Sequence, residues 1–279
     1  MNLPAHRLAW HINHAWRVLA TGMSFTIFGI GGVLMSLTLF PLARLAAGDA
    51  AATKRYSQKI MHYSWRSFIW FMKVTGILSW ELRGAERLNQ PGRLIVANHP
   101  SLLDVVFMIS FMPRVDCIVK PGIFRNPFMR GPAVWAGYIP NEDPERLIDD
   151  CAQTLRQGNS LLMFPEGTRT RPGLPICMKR GAAQIALAAG CETLPVTITV
   201  TPTTLTKNEP WYRIPARPFH VVVTVGEPLP ASRFLDGAHS RAAAARHMTE
   251  YLENYFTQTA AAQAAKALPG GPVVAVVPV

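Results

Sequence analysis

"RLIVANHPSLLDVVFMISFM", residues 93–112, sets an apolar run with strand character against an apolar run with helix character. One imidazole, His99, and one carboxylate, Asp104, stand at the junction. On a continuous α-helix their five-residue spacing would put them about 140° apart around the axis, since each residue turns about 100°. They meet only if the strand stops near Ala97, Asn98 and His99 make a turn, and a helix starts near Ser101. A junction of this kind, beyond the carboxyl end of a strand, is where α/β proteins put their sites. A structural role competes: Ser101-Leu-Leu-Asp104 is also a capping box, which would make Asp104 a helix cap and His99 a turn residue.

The rest of the chain extends this pattern. Strands are predicted over 93–97, 115–119, 160–164, 193–200 and 219–225, and helices over 101–112, 145–157, 178–189 and 239–258. The alternation predicts an α/β domain, a largely parallel mixed sheet flanked by helices, spanning 81–258. The Pro/Gly-punctuated end, 259–279, is expected to be a mobile tail.

Residues 18–43, "VLATGMSFTIFGIGGVLMSLTLFPLA", carry no charge. A run of 26 residues exceeds the roughly 20 that cross a bilayer core, and it can span or re-enter as a hairpin. The downstream flank holds Arg44, Lys54, Arg55, Lys59, Arg66 and Lys73 against Asp49 alone before Glu81, which places it on the cytoplasmic side. A signal peptide fits less well, because the apolar stretch is too long and its leading segment is not strongly basic. Residues 56–80, with Trp65, Trp70 and Trp80 among Lys and Arg, suit either a membrane interface or a core-packing helix. Residues 1–80 are therefore expected to form an N-terminal helical membrane anchor, hydrophobic and amphipathic.

A net charge of +11 favours anionic partners. Dispersed Lys and Arg without a recognition motif argue against nucleic acid. Cys117, Cys151, Cys177 and Cys191 lack CxxC or metal-ligand spacing, which predicts reduced thiols in a cytosolic compartment and no metal site.

Two further segments carry chemistry. In "LLMFPEGTRT", 161–170, Gly167 permits a close backbone turn and Arg169 offers a planar fork for phosphate or carboxylate. Lys120 ends a predicted strand ahead of the Pro/Gly-rich loop "PGIFRNPFMRGPAVWAGYIP". Taken in order, "NHPSLLD", Lys120, "FPEGTRT", "KRGAAQIALAAG" and "TLPVTITV" resemble the glycerolipid acyltransferases of the lysophosphatidic acid acyltransferase (PlsC-like) family over residues 80–230.

The resemblance implies roles for these residues. His99 would be the general base, Asp104 would orient its ring, and Lys120 and the Gly167 N–H would stabilise an oxyanion. Glu166 would shape its turn and Arg169 would bind the acceptor's phosphate; Asn98, Ser101, Arg125 and Thr168 complete the expected substrate-binding set. The resemblance implies no cofactor beyond an acyl-carrier-protein (acyl-ACP) or acyl-CoA co-substrate. It implies a lysophospholipid-type acceptor such as 1-acyl-glycerol-3-phosphate, and an inner (cytoplasmic) membrane setting with the catalytic domain on the cytoplasmic side. One position departs from the pattern: Asn141, Glu142 and Asp143 stand where an arginine is common. Either Arg125, Arg130 or Arg171 compensates, or the acceptor is another membrane lipid loaded with an unusual acyl chain. A non-catalytic lipid-binding protein is the alternative from a different class.

Overall fold

The computed structural model describes residues 3–171 and 173–266. Three helices come first: α1 (Leu3–Leu37), α2 (Leu39–Ala47) and α3 (Ala50–Val74). The Asp49 carboxylate starts α3 by accepting the Ala52 N–H at 2.7 Å. Gln58, Met61, His62, Trp65, Phe68, Ile69 and Met72 recur at helical spacing and are buried, while Tyr56, Tyr63 and Trp70 face outward. The segment 56–80 is thus a core-packing helix on its inner face. It ends before β1 (Leu78–Arg83), a strand the sequence reading did not resolve.

The remaining elements alternate as expected: β2 (Leu94–Ala97), α4 (Asp104–Phe111), β3 (Asp116–Val119), α5 (Pro121–Arg125), α6 (Arg130–Trp135), β4 (Ile139–Pro140), α7 (Pro144–Arg156), β5 (Leu161–Met163), α8 (Gly181–Ala189), β6 (Glu192–Thr201), β7 (Phe219–Val225), β8 (Leu229–Pro230), α9 (Ser232–Leu235) and α10 (Arg241–Lys266). The sheet runs β1-β7-β6-β2-β5-β3-β4, with β8 added beside β6. Pairing is parallel except where β6 meets β7 and β8. This is the mixed, largely parallel α/β sheet that the alternation implies. Helix α10 continues past 258 to Lys266, and residues 267–279 of the expected tail lie outside the described residues.

β2 is paired along both edges, to β5 and β6, and buried on both faces because helices cover both sides of the sheet. Its side chains alternate between two cores. Ile95 and Ala97 join Phe107, Trp65 and Phe68 beneath α3 and α4, whereas Leu94 and Val96 join Leu155, Ala183, Ile185 and Met248 beneath α7, α8 and α10. Burying each large aliphatic chain contributes about 1.5–3 kcal/mol, so β2 is the strip on which both layers are fastened.

Helix α1 packs along the α3–α6 side. Arg17, Ala20, Thr21, Ser24, Gly32 and Met35 form its buried stripe, and Ile12, Trp16, Leu19, Met23, Ile27, Ile30 and Leu34 its exposed apolar one. Arg7–Ala47 is long and apolar enough to cross a membrane by length and composition. The helix is continuous to Leu37, so no hairpin turn falls within residues 18–37.

Candidate active site

The site is built where β2 stops. Asn98 is buried and bonds Ile198 of β6 in both directions, donating from Nδ2 to the carbonyl at 2.9 Å and accepting the N–H on Oδ1 at 2.7 Å. This bracket ends the strand and fixes where the turn begins. The His99 N–H donates to Glu166 Oε1 at 2.8 Å, and the Thr170 N–H donates to the His99 carbonyl at 2.7 Å. The turns after β2 and β5 are thereby stitched together.

Helix α4 begins at Asp104, three residues later than the capping-box reading placed it. Residues 101–103 form a turn that folds the carboxylate back, so Asp104 Oδ2 accepts the Ser101 N–H at 2.7 Å and faces His99 Nδ1 at 2.8 Å. One oxygen of Asp104 therefore both closes the turn at Ser101 and faces the imidazole. An ionised carboxylate only accepts, so Nδ1 carries the hydrogen and Nε2 is left as the basic nitrogen. Asp104 is 1% exposed and the His99 side chain 18%. The imidazole rests on Phe164, with ring centroids 4.6 Å apart.

His99 lines a cavity of about 1390 Å³ that runs over the carboxyl ends of the strands. This exceeds the roughly 300–1,000 Å³ typical of sites for one small ligand. One end is apolar, walled by Phe25 and Phe28 of α1 and by Trp65 and Phe68 of α3. Six cations line the cavity, namely Arg17, Lys120, Arg169, Lys179, Arg180 and Lys207, and among the described residues no Asp or Glu does.

The residues singled out from sequence separate into groups. His99, Lys120, Gly167, Thr168 and Arg169 line the cavity. Asp104 stands behind the imidazole, and Asn98, Ser101 and Glu166 fasten the turns rather than face the cavity. Arg125 is exposed outside the lining, as are Arg130 and Arg171, so none of the three arginines expected to offset Asn141 reaches the cavity. Gly167 has φ of +66°, which favours glycine, but its N–H donates to Phe164 O at 3.0 Å and is spent on the turn instead of pointing at an oxyanion. Arg169 Nη1 donates to the carbonyls of Leu205 and Thr206, both at 2.8 Å, and so holds the loop after β6.

Sequence reading missed Lys179, Arg180, Lys207 and Arg17 as cavity residues. For the first two a signal existed, since "KR" immediately precedes the helix that follows the GTRT turn. Lys207 and Arg17 carry no local signal.

Burial pushes the Asp104 carboxyl up from its ordinary range, opposed by the His99 hydrogen bond and charge, the Ser101 N–H and the Arg169 charge. Burial likewise raises Glu166, opposed by the Thr170 hydroxyl and the His99 N–H.

The Acyltransferase family model matches residues 79–199. A 1-acyl-sn-glycerol-3-phosphate acyltransferase of Chlamydomonas reinhardtii is 27% identical over 233 residues, covering 78% of this chain and 67% of that protein. A chloroplastic enzyme of the same name from Arabidopsis thaliana is 33% identical over 124 residues, covering 42% of this chain and 35% of that one. The protein of that name from Pseudomonas aeruginosa is 27% identical, covering 48% of this chain and 54% of that one. The chain spans about half the length of most curated relatives it matches. In fold it is similar to the crystal structure of the 1-acyl-sn-glycerophosphate (LPA) acyltransferase PlsC from Thermotoga maritima. The TM-score is 0.67 at 20% identity, over 90% of this chain and 97% of that one. Over residues 79–199 the chain matches the Acyltransferase family model, and its fold is similar to that of the solved PlsC structure.

Proposed function

We propose that this protein is a membrane-associated O-acyltransferase, moving a fatty acyl chain from an acyl-ACP or acyl-CoA thioester to the hydroxyl of a lysophospholipid-type acceptor such as 1-acyl-glycerol-3-phosphate. The observation that carries this reading is the His99–Asp104 pair, 2.8 Å apart, on a cavity with an apolar end and a cationic, acid-free lining. The apolar end suits an acyl chain, and the cations suit substrates that both bear phosphate.

In this reading Nε2 of His99 takes the proton from the acceptor hydroxyl as its oxygen attacks the thioester carbonyl. The C–O bond forms, the carbonyl electrons move onto oxygen, and collapse of that oxyanion breaks the C–S bond. The proton then passes from Nε2 to the departing thiolate, so the products are ester and thiol, with no covalent enzyme intermediate. Asp104 keeps the hydrogen on Nδ1 and stabilises the imidazolium between the two transfers. Lys120, on the cavity wall, is the cation assigned to the oxyanion, since the Gly167 N–H is engaged in its turn.

The exposed stripe of α1 is the membrane contact. Because the opposite face of α1 is packed on the αβ domain from Arg17 to Met35, the helix is read as lying along the bilayer surface with the domain on the cytoplasmic side. The test is acylation by detergent-purified protein supplied with labelled acyl thioester and a panel of lysolipids, read by mass spectrometry. The expected result is thioester-dependent diacyl product lost in His99→Ala; equal product from that variant would remove His99 from the reaction.

A further inference from the structure

The cavity cations are held in two different ways. On the side of α1, Arg17 donates to the carbonyls of Pro215 and Ala216 at 2.9 and 2.8 Å, and Arg169 to those of Leu205 and Thr206. These arginines tie down the loop between β6 and β7. Lys179 and Arg180, which lead into α8, form no ion pair among the described residues. Their backbone is fixed: the Lys179 N–H donates to Pro165 O at 2.9 Å, and Met178 N–H to Glu253 Oε1 at 2.7 Å. A Cβ on Gly167 would stand 3.2 Å from both Cε and Nζ of Lys179, so the bare glycine lets this ammonium lie against the turn beside His99.

The two groups also differ in which side of the sheet they approach from. Helices α7 and α8 cover the face opposite α3 and α4, and Leu147, Ile148, Gln184 and Ile185 carry the cavity to that side. The cavity thus has one wall on α1, the helix read above as the membrane contact, and another on the α7–α8 side, beside Lys179 and Arg180. Thioester donors of the carrier-protein and CoA classes share a phosphopantetheine arm, whose phosphate is an anion that an ammonium and a guanidinium recognise well.

We propose that Lys179 and Arg180 form the subsite for the phosphate of the donor's phosphopantetheine arm, so that donor and acceptor enter the cavity from opposite faces of the sheet. This rests on the acyl-transfer reading above.

The test measures KM in Lys179→Gln/Arg180→Gln with four donors: acyl-CoA, acyl-ACP, acyl-phosphopantetheine and the phosphate-free S-acyl-N-acetylcysteamine. The expected result is a rise of about ten-fold or more for each phosphate-bearing donor, the scale of one lost charge-assisted contact, with a change below about two-fold for the phosphate-free donor and for the acceptor. Arg130→Ala, which removes an exposed cation outside the cavity, should leave donor KM within about two-fold on the same scale. A rise in acceptor KM would give the subsite to the acceptor's phosphate and overturn the proposal. So would an equal loss with the phosphate-free donor, no loss with any donor, or a rise with acyl-CoA but not acyl-phosphopantetheine. If the double variant does not fold, Arg180→Gln alone carries the same comparison. Wild-type protein that acylates no lysolipid with any donor would instead overturn the acyl-transfer reading itself.

Discussion

Glu166 Oε1 accepts the His99 N–H at 2.8 Å and the Thr170 hydroxyl at 2.7 Å, so one carboxylate oxygen on the turn after β5 fixes the backbone of the residue after β2. The position of His99 is thereby set by a residue that does not face the cavity. Glu166→Gln keeps an acceptor oxygen in place and removes a half-buried charge. It should retain most activity and melt no lower than wild type. Glu166→Ala removes the nearer acceptor of the His99 N–H and leaves it only Thr170 Oγ1 at 3.3 Å, and should cost about 0.5–1.5 kcal/mol in denaturant unfolding together with a fall in kcat.

His99→Ala should lower kcat by about 10²–10⁴, the range of a lost general base, with a smaller effect on acceptor KM. Steady-state rates with labelled acyl thioester measure this directly.

Asp104→Asn separates catalysis from stability. Because burial raises the folded-state carboxyl above its unfolded value, the folded protein holds that proton more tightly. Stability from this group is therefore present below the unfolded carboxyl range and declines as pH rises through the folded value. The asparagine variant lacks that decline. It should be at least as stable as wild type at pH 8, as read by thermal melts at pH 5 and pH 8, while its activity collapses because the ring is held in the wrong tautomer. Stability that falls along with activity would make Asp104 chiefly a helix-start residue.

Arg169→Lys replaces a fork that reaches two carbonyls with a single ammonium. Leu205, whose carbonyl accepts one of those bonds, is buried with φ of +53°, a conformation that leucine holds at a cost and that the surrounding contacts must maintain. The variant should show faster limited proteolysis between residues 202 and 216 and a raised KM, with no shift in the overall fold by circular dichroism.

Two neighbouring glycines on α1 make a paired test of how that helix is seated. A Cβ on Gly32 would fall 2.3 Å from the Phe128 carbonyl oxygen, whereas one on Gly31 meets nothing within 4 Å. Gly32→Ala should destabilise by about 1–3 kcal/mol, since backbone must move. Gly31→Ala should be neutral or stabilise by about 0.5–1 kcal/mol through helix propensity. Equal melting temperatures for the two variants would mean that α1 is not packed on the loop at 128.

What was legible in the sequence follows from range. The His99–Asp104 pair is local, and an apolar strand, a turn and an apolar helix within 20 residues announce it. Strands β2, β5 and β6 were readable because they are buried nearly throughout and their composition is apolar, and β7 because its valines continue an apolar run whose alternate residues are buried. Strand β1, "LSWELR", was hidden because it is only half-buried, carries Glu81 and Arg83 as a surface pair, and abuts the aromatic end of α3. Strand β4 is two residues long and has no pattern to read. The start of α4 was misplaced because Ser101 gives its N–H to Asp104 instead of opening the helix. The roles of Arg17 and Arg169 as loop fasteners depend on carbonyls 36 to 199 residues away, which no motif encodes.

The seating of α1 has a practical corollary. Phe25, Phe28 and Gly29 are part of the chamber around His99, so trimming the chain to its αβ body would also open that chamber. Such a fragment would lack one wall, its greasy end would flood, and the bare aromatics of α3 would drive it to clump. Any soluble version of this protein must therefore keep the first helix and repaint its outer side.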